Sequence, residues 1–246
     1  MSSTDKKLPI PGELFEVDGC EAFVIRPANS DGNNNPWVWY APTLPPFPDK
    51  NEAQMFEWFV EAGIAIAGID VGESWGSPDG RSQFSTFHAH MTDQLGFDAK
   101  PALLPRSRGG LMLYNWAVEN ADQVACVAGI YPVCSLLQPW IIEKAVESYG
   151  MTIDAIEAQS ELHSPVERLG PLAEANVPIY HIHGDSDEVV PLGMHSAALA
   201  EAYRALGGDV VLDVAKGQGH SVWTGFFQCE ALVQFVIEHL KAGERT

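Results

Sequence analysis

The chain has 246 residues, 46% of them hydrophobic and 19% charged, and a formal net charge of −19 at pH 7. That length suits one large α/β domain spanning residues 1–246 better than two domains, and the apolar fraction allows a sizeable core. The acidic excess argues against nucleic acid and anionic membrane surfaces as partners, and against a strongly anionic substrate unless the site is locally basic. Solubility is its ordinary explanation.

Four cysteines (Cys20, Cys126, Cys134, Cys229) are irregularly spaced with no CxxC pair, so a disulfide framework is not expected. The N-terminal residues 1–17 carry no apolar h-region, and no stretch approaches the roughly 20 apolar residues of a membrane span. A cytoplasmic protein is the expectation.

In chain order, Phe15 to Arg26 predicts one or two strands broken near Asp18-Gly19, and residues 29–36 (NSDGNNNP) form a turn-rich loop. Trp37 to Ala41 (WVWYA) is a continuous apolar run, as in a strand buried on both faces. Asn51 to Ala62 has helical spacing, and Ile64 to Val71 is a second buried strand. Ala102 to Pro105 (strand), Gly109 to Asn120 (helix) and Val124 to Val133 (strand) follow. Cys134 to Asn176 offers helical pattern without a strand and predicts a small helical insertion. Val177 to His183 (strand), His195 to Leu206 (helix) and Val210 to Val214 (strand) restore the rhythm, and Trp223 to Leu240 closes the chain as an amphipathic helix. This alternation predicts an α/β fold with a mostly parallel sheet and helices on both faces. Ligands of such sheets bind beyond the carboxyl ends of the strands.

Three of those ends carry candidate chemistry. In LLPRSRGGL an apolar strand runs into Ser107, then a glycine pair and a helix. A serine on such a turn presents its hydroxyl above the sheet, with the helix N-terminus aimed at the site. The usual pattern is G-x-S-x-G; here Pro105 stands at the first glycine. In HIHGDSDEVVP a strand releases into a polar turn, where Asp185 and Asp187 compete as the residue that would orient an imidazole; an Asx-turn is the plainer account of either. His220, in GQGHSVW, follows a strand and precedes the closing helix. Taken singly it is an ordinary loop histidine. The chain order Ser…Asp…His, each just past a strand, is what singles out the set.

On these residues the chain resembles the α/β-hydrolase superfamily over nearly its full length. HGDSDEVVP and GQGH are similar to the family's acid and histidine turns, and SRGGL to a variant of its elbow, as in bacterial esterase-like members with S-R-G-G. The resemblance selects Asp187, three residues after the glycine of the HG turn. It implies a serine hydrolase in which Ser107 attacks an acyl carbon, His220 shuttles the proton and Asp187 supports it. It implies no metal and no organic cofactor. The oxyanion hole would use the N–H of Arg108 and one from the loop after WVWYA. Pro42 has no N–H, so Thr43 is expected there, with Leu44 behind it.

Other features have plainer accounts beside the functional one. The H-x-H pairs His88/His90 and His181/His183 lack a matching acidic cluster, and His183 is expected to be a structural hydrogen-bonder beside the acid loop. Glu73, Ser74 and Trp75, after the second buried strand, are candidates for the pocket wall, although their glycine neighbours also explain a turn. Arg106 and Arg108 could bind a substrate carboxylate or pair with neighbouring acids, the latter preferred. Trp223 and Trp140 are candidates for stacking on substrate or for packing. The expectation is hydrolysis of a small-molecule carboxylic ester with a short acyl chain. An amidase or peptidase with the same triad, or a non-catalytic binder on this scaffold, are the alternatives.

Overall fold

The computed structural model describes residues 6–28 and 35–242, so residues 29–34 of the expected turn-rich loop lie outside the described residues. The first two strands, β1 (Glu13–Val17) and β2 (Cys20–Ile25), form a hairpin turning on Asp18 and Gly19 at φ of 50° and 78°. Positive φ at both central residues is the requirement of a two-residue turn that keeps the strand twist. Then follow β3 (Trp37–Ala41), α1 (Ala53–Glu61), β4 (Ala65–Ile69), α2 (Pro78–Ala89), β5 (Ala102–Pro105), α3 (Gly109–Glu119) and β6 (Cys126–Ile130). Four helices, α4 (Pro139–Tyr149), α5 (Ile153–Glu157), α6 (Ser160–His163) and α7 (Gly170–Glu174), separate β6 from β7 (Ile179–Gly184). The chain continues through α8 (Ser196–Ala205), β8 (Val210–Ala215), α9 (Thr224–Phe227) and α10 (Glu230–Ala242).

The strands make one eight-stranded sheet in the order β1-β2-β4-β3-β5-β6-β7-β8, antiparallel through β1, β2 and β4 and parallel from β4 to β8. Alternation along the strands decides the layers. Trp37, Trp39, Leu103, Val127 and Ile179 pack with α2, α3, α7 and α8 on one face. Val38, Tyr40, Leu104, Ala128 and Ile182 pack with α1 and α10 on the other. The expected mostly parallel α/β sheet with helices on both faces is thus what forms. Residues of α4 and α5, among them Ile141, Ile142, Tyr149 and Ile156, form a third cluster with Trp75, Leu111 and Val190 over the rim of the sheet.

Three elements differ from expectation. Residues 78–89 form α2, which sequence periodicity did not reveal. Its start is written in Ser77-Pro78: the Ser77 hydroxyl accepts from Gly80 N–H at 3.3 Å and Pro78 sits where no N–H is needed. The sixth strand stops at Ile130, short of Val133, because Tyr131 turns to φ 35° and Pro132 has no N–H to continue a ladder. The closing helix is two helices, interrupted at Gln228-Cys229, although both halves bury their apolar side on α1 and the sheet. The four cysteines are free thiols. Among the described residues no helix is long and apolar enough to cross a membrane.

Candidate active site

β5 delivers Ser107 to a tight turn ahead of α3. Its backbone sits at φ 51°, a conformation non-glycine residues rarely adopt. Hydrogen bonds over-determine that shape: Ser107 N–H donates to Ile130 O at 3.0 Å, and Ser107 O accepts from Gly110 N–H at 2.9 Å and Val133 N–H at 2.8 Å. The glycine pair has a steric reason. A Cβ at Gly109 would run into the Ala41 carbonyl and one at Gly110 into the Val133 carbonyl, so α3 could not start this close to the sheet. Pro105 is accommodated because the β5–β6 ladder passes over it, ending at Leu103↔Val127 and resuming as an Arg106↔Ile130 bridge.

Asp187 and His220 converge on this turn from the ends of β7 and β8. His220 Nδ1 lies 2.8 Å from Asp187 Oδ2, and His220 Nε2 lies 2.9 Å from Ser107 Oγ. A carboxylate only accepts, so Nδ1 carries the hydrogen and Nε2 is the acceptor for the serine hydroxyl. Asp187 Oδ1 accepts from Val189 N–H at 3.0 Å and Val190 N–H at 2.8 Å. Burial pushes this carboxyl up, but hydrogen bonds from His183, His220 and Val190 outweigh it and hold the group below the usual carboxylate range. Asp185 acts on the backbone instead: its Oδ1 accepts from Gly217 N–H at 2.6 Å and closes the turn against the histidine loop.

Ser107 and His220 open onto a cavity of about 530 Å³, walled by Pro42, Phe47, Arg106, Arg108, Tyr131 and Val222. The ring of Tyr131 lies 4.4 Å from that of His220 between centroids. Arg108 N–H and the N–H groups of Thr43 and Leu44 have no backbone acceptor among the described residues, which leaves them free for an oxyanion. The Thr43 side chain is buried, its hydroxyl turned to Tyr40 O at 3.3 Å.

The structure places the remaining expected wall residues off the cavity. Leu44 packs on the core of the α2–α3 face. Glu73 faces the guanidinium of Arg108 at 3.2 Å. Trp75 is buried against α4, stacked edge-on with Trp140, and accepts the Tyr149 hydroxyl on its carbonyl. Trp223 stays half exposed and packs edge-on against Phe226. The wall is made by Phe47, Tyr131 and Val222 instead. All three lie next to elements whose ends were recognised from sequence, yet their inward orientation has no sequence signal.

Arg106 is committed to structure. It is buried between the rings of Phe47 and Phe227, and its Nη1 reaches Glu52 Oε1 at 2.5 Å and Asp49 Oδ2 at 3.5 Å. The H-x-H pairs are also accounted for. His88 lies on α2 with Nε2 bonded to Ala99 O at 2.8 Å, and His90 stacks on Phe15. Among the described residues no three His, Cys, Asp or Glu side chains gather as a metal site would require.

Residues 159–242, which include Asp187 and His220, match the phospholipase/carboxylesterase family model. A stretch of 98 residues is 32% identical to Esterase YpfH of Escherichia coli (strain K12), taking in 37% of this chain and 39% of the esterase. The S-formylglutathione hydrolase of Agrobacterium tumefaciens superposes with a TM-score of 0.68 at 16% identity, over 94% of this chain and 92% of that one. A puromycin-hydrolyzing peptidase of Mycobacterium tuberculosis superposes with a TM-score of 0.70 at 17% identity, over 96% of this chain but 40% of the peptidase. At such identities the likeness to solved structures is one of fold. The chain thus has the fold of these α/β hydrolases, and its C-terminal third is similar in sequence to the phospholipase/carboxylesterase family.

Proposed function

We propose that the protein hydrolyses carboxylic esters of small molecules through an acyl-serine intermediate. The observation that carries the reading is the unbroken hydrogen-bonded line Ser107–His220–Asp187, set on a positive-φ turn at the mouth of a cavity. Ser107 Oγ attacks the acyl carbon while its proton passes to His220 Nε2, and the oxyanion forms against the N–H groups of Arg108 and Thr43. His220 returns the proton to the departing alkoxide. Water then attacks the acyl-enzyme, His220 takes its proton, and collapse restores the Ser107 hydroxyl and frees the acid. Asp187 keeps His220 in the required tautomer and stabilises its cationic form. The match to an esterase of known sequence and to a carboxylesterase family supports ester over amide chemistry. The modest cavity, with Phe47, Tyr131 and Val222 on its wall, supports a short acyl chain.

Labelling with a fluorophosphonate, followed by assay of p-nitrophenyl esters of increasing chain length, tests this. The wild type is expected to label and to turn over acetate and butyrate esters best, and Ser107→Ala to do neither. Absence of labelling, or equal turnover by Ser107→Ala, sinks the mechanism.

A further inference from the structure

The hydrogen-bonded line does not stop at Asp187. His181 and His183 alternate along β7 and face the same side of the sheet, where both Nδ1 atoms meet one hydroxyl. Ser196 Oγ, on the first residue of α8, lies 2.9 Å from His181 Nδ1 and 2.8 Å from His183 Nδ1. Beyond it, His181 Nε2 is 2.6 Å from the Tyr114 hydroxyl of α3. On the other side, His183 Nε2 is 2.8 Å from Val190 O and 3.4 Å from Asp187 Oδ2. Tyr114, His181, His183 and Ser196 are all 0% exposed, so bulk water satisfies none of their polar atoms.

The protons of this chain can be placed by counting. Val190 O and the carboxylate only accept, so His183 Nε2 carries a hydrogen. Ser196 has one hydroxyl proton and two imidazoles to serve. Given to His181 Nδ1, that proton makes His181 Nε2 the donor to Tyr114. The phenol proton is then left without an acceptor among the described residues, and His183 must carry hydrogens on both nitrogens. Given to His183 Nδ1, it leaves the Ser196 oxygen to accept from His181 Nδ1–H, and Tyr114 donates to His181 Nε2. Only the second arrangement satisfies every donor and acceptor without a buried imidazolium. Burial independently pushes His181 down to about 3, consistent with an uncharged ring.

We propose that His183 is a positioning residue for the acid: its Nε2 hydrogen ties Val190 O to Asp187 Oδ2, and the Ser196–His181–Tyr114 chain, by donating to Nδ1, holds the ring neutral and in that one orientation. Because Val190 N–H binds the other oxygen of Asp187, the peptide unit around Val190 is clamped from both sides. The loop thereby presents Asp187 to His220 in one orientation. This rests on Asp187 acting as the triad acid, as proposed above.

Imidazole nitrogen NMR on the wild-type protein reads the tautomers without any substrate, so failure here and failure of the esterase reading are told apart. Hydrogen on Nε2 alone at His183 and on Nδ1 alone at His181 is expected; the reverse tautomer at His181, or a doubly protonated His183 at neutral pH, overturns the proposal. Ser196→Ala then removes the donor to His183 Nδ1 and frees the ring to turn away from Val190 O and Asp187. A fall in kcat of roughly 10- to 100-fold with KM unchanged is expected, as for a slight misplacement of a catalytic group. The low-field proton resonance of His220 Nδ1–H should be lost with it, and Ser196→Thr, which keeps the hydroxyl, should restore both. A folded Ser196→Ala protein with wild-type kcat and an unchanged resonance overturns the proposal. If Ser196→Ala does not fold, the wild-type tautomers decide alone.

Discussion

Two buried carboxylates sit beneath this site, and they are displaced in opposite directions. Glu52, on the turn before α1, is fully buried under Arg106, and its carboxyl is pushed up because burial outweighs the attraction of that guanidinium. Asp187, nearly as buried, is held down. Both accept several hydrogen bonds. Glu52 takes Arg106, the Tyr40 hydroxyl at 2.9 Å and one backbone N–H, from Asp49 at 2.8 Å, with the Asp49 carboxylate nearby opposing its charge. Asp187 takes two backbone N–H groups and faces two imidazoles, with no acidic neighbour pressing on it among the described residues. Burial sets the penalty, and the donors and neighbouring charges set how much of it is offset. The carboxyl held down is the one the proposed chemistry uses. Glu52 serves packing, anchoring the arginine that precedes the nucleophile.

The largest effect should come from removing the charge that is held down. Asp187→Asn keeps the shape but gives His220 a neutral partner that allows the wrong tautomer, and a loss of roughly 10⁴-fold in kcat is expected. Stability should follow pH in step. A carboxyl depressed in the folded state stabilises fully above its unfolded pKa of about 3.9 and loses that contribution as the pH falls from there through its lower folded-state pKa. Urea titrations of wild type and Asp187→Asn should therefore differ at neutral pH and converge in acid. A difference independent of pH would show that the carboxylate is held no better folded than unfolded.

Next in size is Arg106→Met, which strands Glu52. Losing one partner of a buried pair costs about 3–5 kcal/mol, and here Phe47 and Phe227 lose a stacking surface as well. The loss is measured as a shift in the urea midpoint at constant slope. Arg106→Lys should recover only part of it, since a point charge cannot stack as the planar guanidinium does. Full recovery with lysine would mean that charge alone does the work.

This contrast also marks what the sequence could reveal. Strand ends were legible because parallel strands buried on both faces leave continuous apolar runs, and the order of Ser107, Asp187 and His220 along the chain could be matched to those ends. The placement of His181 and His183 on one strand predicted their shared face, and the structure joins both to Ser196. Nothing local told which hydroxyl would meet them, because Tyr114 and Ser196 arrive from helices 67 and 15 residues away in sequence. Glu52 is hidden for the same reason: an acid beside a helix start is read as exposed until Arg106, 54 residues on, covers it. The tryptophans, candidates for stacking on substrate or for packing, carry no sequence signal that separates the two. Trp75 seals α4 against the rim, where a large flat side chain buries the most area.

A third carboxylate sharpens the comparison from the opposite end. Glu73 pairs with Arg108 at 3.2 Å, as Glu52 pairs with Arg106, but both partners reach solvent. Water and salt screen such a pair, and long side chains lose entropy in holding it. Glu73→Gln should thus change stability by less than about 1 kcal/mol, several-fold less than Arg106→Met. Turnover of a neutral p-nitrophenyl ester should stay near wild type, because what Arg108 contributes to the proposed oxyanion hole is its backbone N–H, which the substitution leaves in place. A change in turnover of tenfold or more, with stability intact, would shift the weight to the side chain. Arg108 would then touch the substrate, and the two arginines beside Ser107 would divide into one that holds the fold and one that reads the ester.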